Sequence, residues 1–360
     1  MRLHFYYLIH CALYFSTFKI LTTNQLYFQK KMGVSLEDIK KLRTMTGAGL
    51  GDCKKALAES NGNIEEAIEI IRKKGQAVAA KRSDREAAEG AVLVKCENGF
   101  AAIIALKCET DFVAKNADFV KLAQDILDLA VANKCKSLEE VNALTLGGHT
   151  VAEAVTDRSG ITGEKMELDG YNFIEGDNVA VYDHMGRHML CTMVQTNKPA
   201  EEQAHNVAMQ VAAMNPVALD EASVPQEVKD EELKVAIEKT KEEQVKKAVE
   251  AAIKKAGYNA YIAESEEHLE EGIRKGNITE EDAAAIRELK AKTAEEKSAN
   301  LPEQMVQNIA NGRMKKFYKE SCLLNQEYIQ DSKQTVAEYL KSTDKDLTVT
   351  AFKRFTLRAE

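Results

Sequence analysis

The sequence predicts an α+β fold: a three-helix N-terminal module, a core of two similar subdomains that each pair an antiparallel sheet with a helix, and an inserted helical arm. Three observations carry that prediction. Apolar residues recur at helical spacing between residues 35 and 74. From Ala91 the period becomes that of strands, and the order strand, hairpin turn, strand, helix occurs twice. Residues 226–300 then hold 19 acidic and 14 basic residues without a proline, a composition suited to solvated helices rather than a core.

The elements follow in order. Ser35 stands where an N-cap belongs, with Asp38 three residues on, and Leu36, Ile39, Leu42 and Arg43 form the stripe of a first helix. "TGAGLGD" breaks it. A second helix carries Leu50, Cys53, Ala56 and Leu57, and Gly62 suits a left-handed stop. Asn63 caps a third helix with Ile64, Ala67, Ile68 and Ile71 on one face, which Gly75 is expected to end; "AVAAKRSDREAAEG" is then a helical linker. "AVLVKC" and "FAAIIALKC" are strands joined by the turn "ENG". The helix after them turns Phe119, Leu122, Ile126, Leu127 and Leu129 inward. "MELDGYNFI", "NVAVYDHM" and "RHMLCTMVQT" open the second half as strands, with turns at Gly176 and Gly186. A helix follows and ends at Asn215-Pro216, since the residue before proline is pushed out of helical space. In the arm, Thr279 caps a helix with Asp282 three residues on. "LPEQMVQNIANGRMKKFYKESCLL" returns as a helix and "LTVTAFKRFTL" closes as a strand. The expected domains are therefore 32–85, a core of 86–225 with 301–360, and an arm of 226–300.

Residues 1–31 differ from the rest. They hold eight of the 22 Phe and Tyr residues and no acidic residue. "FYYLIHCALYF" has the look of a signal-peptide core, yet it is short for a bilayer span and no clean cleavage site follows. The preferred reading is that Met32 is the working initiator and that 1–31 is an extension from an upstream start; the alternative is a membrane or signal anchor.

A net charge of −8 makes the chain a poor candidate for sequence-independent nucleic-acid binding, though it leaves room for a local basic face. Seven scattered cysteines include no C-x-x-C pair and read as free thiols in a reducing cytoplasm. "GAGLGDCK" lacks both the phosphate-loop order and a preceding strand, so a helix–helix turn is the better reading. His184, His188 and His205 share no obvious face for a metal. No catalytic constellation assembles, and neither a metal nor a cofactor is expected. "GRMKKF" is a helix surface with Phe317 inward, or a basic contact for an acidic partner. In "KCETDFVAKN", Thr110 or Asp111 caps a helix. On the residues alone Phe112 then folds back into the core.

Three separated motifs, "KKLRTMTGAGLGDCKKAL", "TDFVAK" and "GRMKKF", occur in the order and context of bacterial elongation factor Ts, and the likeness runs from about Met32 to Leu357. What the resemblance implies is specific. The family is the guanine-nucleotide exchange factor of elongation factor Tu, without enzymatic chemistry, cofactor, direct nucleic-acid contact or membrane. The three-helix module resembles a ubiquitin-associated domain and docks on the partner's nucleotide-binding domain. Thr110, Asp111, Phe112 and Val113 intrude near the partner's magnesium site, with Phe112 as a wedge and Asp111 as a polar contact. Secondary contacts are implied at Leu42, Arg43, Gly47, Gly49, Lys54, Lys55 and Gln210. Relatives carry histidines near Asn206 and Gln210, and their arm supports dimer contacts, so a homodimer through the arm is a further expectation.

Two rivals remain. A ubiquitin-associated-like binding module with another partner predicts function in residues 32–85 alone. An enzyme with Cys108 beside Glu109 as nucleophile predicts that thiol alkylation abolishes activity.

Overall fold

The computed structural model describes residues 34–357; the expectation for residues 1–31 lies outside them. The described chain divides into two compact units, one running to Met193 and resuming at Lys353, the other Val194–Phe352.

The first unit begins with α1 (Leu36–Thr46), α2 (Leu50–Glu59) and α3 (Ile64–Lys81). Ser35 caps α1 by accepting the Asp38 N–H at 2.9 Å, and Asn63 caps α3. Gly47 ends α1 at φ 70, in the left-handed region that glycine enters without steric penalty. Ile39, Leu42, Cys53, Ala56, Leu57 and Ala67 form the module's core. Two apolar positions expected in the stripes, Leu36 and Leu50, are exposed instead.

A larger correction concerns Gly75, which does not end α3: the helix runs on to Lys81. The reason is tertiary. Gly75 is buried against Gly160 of α7 (Val151–Thr162), where two helix backbones meet with no room for a side chain at Gly160. That contact offsets the roughly 1 kcal/mol by which glycine disfavours a helix interior.

β1 (Glu89–Glu97) and β2 (Phe100–Cys108) pair antiparallel across Asn98 and Gly99, both at positive φ as a two-residue type I′ turn requires. β2 is buried along almost its whole length because it is the central strand. Its other neighbour is β5 (Met166–Glu175), antiparallel, with a register irregularity at Ala105/Leu106. So "MELDGYNFI" completes the first sheet rather than opening the second half. Helix α5 (Ala117–Ala132) covers the sheet with Phe119, Ala123, Ile126, Leu127 and Ala130. Between them lie α4 (Asp111–Ala114), α6 (Leu138–Ala143) and the short pair β3 (Thr145–Leu146) and β4 (His149–Thr150).

A second sheet has the order β10-β7-β6, from β6 (Val179–Asp183), β7 (Leu190–Thr196) and β10 (Val349–Thr356). The second unit contributes α8 (Glu201–Met214), α9 (Gln226–Lys255), α10 (Glu266–Arg274), α11 (Glu280–Ala299), α12 (Glu303–Ser321), β8 (Glu327–Tyr328), β9 (Asp331–Thr335) and α13 (Val336–Thr343). Thr279 and Asp282 form the expected capping box on α11. Ile253, Ala263, Leu269, Ala283 and Ile286 give the arm a small core of its own.

The internal repeat is longer than the sequence periods suggest. In each half a hairpin (β1–β2, then β6–β7) leads to a helix, a two-stranded turn (β3–β4, then β8–β9), a capped helix (α7, then α13) and a last strand (β5, then β10) beside the hairpin's second strand. Both capped helices start with T-V-A-E, residues 150–153 and 335–338, and both close a capping box, Thr150 with Glu153 and Thr335 with Glu338. Among the described residues, no helix is long and apolar enough to cross a membrane.

Candidate protein-docking site

The end of β2 builds the site. Cys108 is buried, and its thiol donates to the Thr110 carbonyl at 3.3 Å. Burial, and after it the Glu164 charge, pushes that thiol up to about 12, so it is not the thiolate a nucleophile requires.

Glu109 is held from two sides. One guanidinium nitrogen of Arg82 donates to both its carboxylate oxygens at 2.9 Å, and the Lys165 backbone N–H donates at 2.6 Å. The Lys165 N–H, then Arg82, keeps the Glu109 carboxyl below the usual range. Thr110 is clamped next. Its hydroxyl donates to Glu164 at 2.6 Å, its N–H to the same carboxylate at 3.1 Å, and the hydroxyl accepts the Val113 N–H as N-cap of α4. The cap is therefore Thr110 and not Asp111. Asp111 pairs with Lys115 at 2.7 Å in solvent, and Lys115 lowers its carboxyl.

This clamp decides where the ring goes. Val113 and Ala114 pack partly buried on the sheet's core. In a single helical turn with those two positions turned inward and Thr110 tied down, position 112 faces the other way. Phe112 is 84% exposed, the most exposed of the large apolar side chains described. The reading that folds it into its own core is corrected.

The other predicted residues separate into two sets. Arg43, Gly47, Gly49, Lys54 and Lys55 are exposed on the three-helix module. Two residues that sequence reasoning passed over as surface groups, Met45 and Leu50, flank that glycine turn and are 57% and 50% exposed. Only their proximity to Gly47 and Gly49 marked them in sequence. Leu42 and Gln210 are corrections, because both are fully buried. Leu42 fills the module's core. Gln210 donates to Gln326 and to the Glu327 carbonyl and accepts the Ile329 N–H at 2.8 Å, so its amide is already satisfied inside the second unit.

"GRMKKF" lies on α12, where Arg313 pairs with Glu243 at 2.7 Å and Phe317 packs inward. His188 bonds Asp183 at 2.6 Å and His184 meets Tyr182. Among the described residues no group of three or more His, Cys, Asp or Glu side chains is arranged to hold a metal ion.

A family model described as Elongation factor TS matches residues 109–266 and 269–359. The chain is 65% identical over 329 residues to the elongation factor Ts of Parabacteroides distasonis, covering 91% of this chain and all of that relative. This chain belongs to the elongation factor Ts family. Elongation factor Ts of Phocaeicola vulgatus is 64% identical over 329 residues, and that of Porphyromonas gingivalis 46% over 331, each again matched along its whole length. The chain is thus a translation elongation factor. The elongation factor Ts model begins at Glu109, the residue clamped by Arg82, and so takes in the whole exposed tip.

Proposed function

We propose that this chain is the guanine-nucleotide exchange factor of elongation factor Tu, acting in the cytoplasm without chemistry of its own. The observation that carries the reading is Phe112: a phenylalanine 84% exposed on a turn whose neighbours on both sides are tied down. Such a ring is presented to something else. In this reading the module docks through the surface around Met45, Gly47, Gly49 and Leu50, with Arg43, Lys54 and Lys55 beside it. Phe112 then enters a pocket near the partner's magnesium site, with Thr110, Asp111 and Val113 forming the base of the wedge.

The physical logic needs no bond making. Magnesium offsets phosphate charge, and a wedge that displaces it leaves that charge poorly compensated. Burying the Phe112 ring contributes about 2–3 kcal/mol, of which only the part favouring the distorted site drives release. Linkage makes the effect reciprocal: GDP weakens the factor by the same free energy.

The test mixes the purified chain with GDP-loaded elongation factor Tu and follows nucleotide release by stopped flow. Phe112→Ala is expected to slow stimulated release far more than it weakens docking; release at the parental rate would overturn the assignment of the tip. The rival in which residues 32–85 suffice is disfavoured by α3, whose second half packs outside the module against α7.

A further inference from the structure

Two surfaces enter the exchange-factor reading: the module face and the Phe112 tip. Helix α3 joins them. Its first half places Ala67 in the module's core, with Ile64, Ile68 and Ile71 packed around it. At mid-length Gly75 meets Gly160 of α7 backbone to backbone: a Cβ on Gly160 would stand 2.1 Å from the Gly75 Cα. One turn earlier Arg72 pairs with Glu153 and lies 3.7 Å from Asp157, both on α7. At the far end Arg82 holds Glu109, the residue two before Asp111.

The contacts close a ring. From Gly160 the chain passes through the α7 cap at Gly163 to Glu164 and Lys165. Glu164 clamps Thr110, and the Lys165 N–H binds Glu109. So Glu109 and Thr110 are fixed by α3 and by the segment after α7, and α3 and α7 are fixed to each other. Across α3 this spans about 25 Å at 1.5 Å per residue.

We propose that α3 is a rigid spacer that sets where Phe112 stands relative to the module's docking face, with Arg82 as the positioning residue at its far end. Arg82 touches no partner in this scheme; it acts through Glu109. A fixed separation raises the effective concentration of the ring at its pocket once the module is docked, and a slack one lowers it with docking unchanged. The proposal rests on the exchange-factor reading above.

The experiment is a double-mutant cycle in stopped-flow GDP release, using the full chain at graded concentrations. Arg82→Ala is expected to lower the maximal stimulated rate about tenfold, leaving the half-saturating concentration within about twofold. Arg82→Lys should recover part of the loss. In the Phe112→Ala background, Arg82→Ala should have almost no further effect, because the group it positions is gone. Glu109→Gln removes the charge and one of the two Arg82 contacts while leaving an oxygen that accepts from both the Lys165 N–H and Arg82. It should lower the maximal rate in the same direction by a smaller factor, and serves if Arg82→Ala folds poorly. Additive losses in the double mutant, an unchanged maximal rate, or a loss confined to the half-saturating concentration would each overturn the spacer. Should Phe112→Ala itself release GDP at the parental rate, the underlying reading fails and the spacer falls with it, a result separable from all the others.

Discussion

Phe112 and Glu109 show how differently two residues of one short segment can behave. The Phe112 ring makes almost no contact with its own chain. Its removal is therefore expected to leave stability nearly untouched, within about 0.5 kcal/mol as for ordinary surface substitutions. Thermal melts of Phe112→Ala and the parent should superimpose; a large drop would mean that the ring packs on its own chain in solution. Glu109 is the opposite case, an internal tie. Its carboxyl is held below its unfolded value by the Lys165 N–H and Arg82. A depressed carboxylate contributes stability that is complete above the unfolded value of about 4.3 and is lost as pH falls through the lower folded value. Glu109→Gln should thus be less stable than the parent at pH 7, with the gap closing below about pH 4. Urea midpoints across that range check it, and a gap independent of pH would remove charge from the explanation. Sequence placed a cap at Thr110 or Asp111 but did not reveal Glu164, which lies more than 50 positions away and chooses Thr110.

At the scale of elements, the α3–α7 crossing is asymmetric. A Cβ on Gly75 would stand 3.4 Å from the Gly160 Cα, whereas one on Gly160 would stand 2.1 Å from the Gly75 Cα. Gly75→Ala is accordingly expected to be neutral or slightly stabilising, since alanine gains up to about 1 kcal/mol of helix propensity. Gly160→Ala must push two backbones apart and should cost about 1–3 kcal/mol, in the range of overpacked cores. Comparing denaturant midpoints of the two variants decides it; equal effects would show that the crossing is looser than described. The same crossing explains why glycine misled as a stop signal. A mid-helix glycine weakens a helix locally, and packing against a distant element keeps the helix running through it. β5 carries a similar lesson. Its alternation was legible as a strand, but whether it joined the hairpin before or after it was a question of pairing between segments some 60 residues apart.

For the molecule as a whole, the thiols offer a direct check on function. Of the cysteines described, Cys96 alone is exposed, while Cys53, Cys108, Cys135, Cys191 and Cys322 are buried. Alkylation under native conditions should label Cys96 first among these six, read by peptide mass spectrometry, and leave nucleotide release largely intact. Abolished activity with label on Cys108 would restore the enzyme reading.

By itself the sequence determined what depends on near neighbours along the chain: the hairpin turn at Glu97-Asn98-Gly99, the caps at Ser35, Asn63 and Thr279, the helical period of the arm and the strand period of the core. Each is set by interactions within a few residues, so a linear reading reaches them. It also carried the motifs that mark the family. Only the tertiary structure decided the exposure of Phe112, the burial of Leu42 and Gln210, the passage of α3 through Gly75 and the membership of β5 in the first sheet. Those outcomes depend on which distant groups arrive alongside, namely Glu164 at Thr110, Gly160 at Gly75 and Gln326 at Gln210, and no local pattern encodes such an arrival.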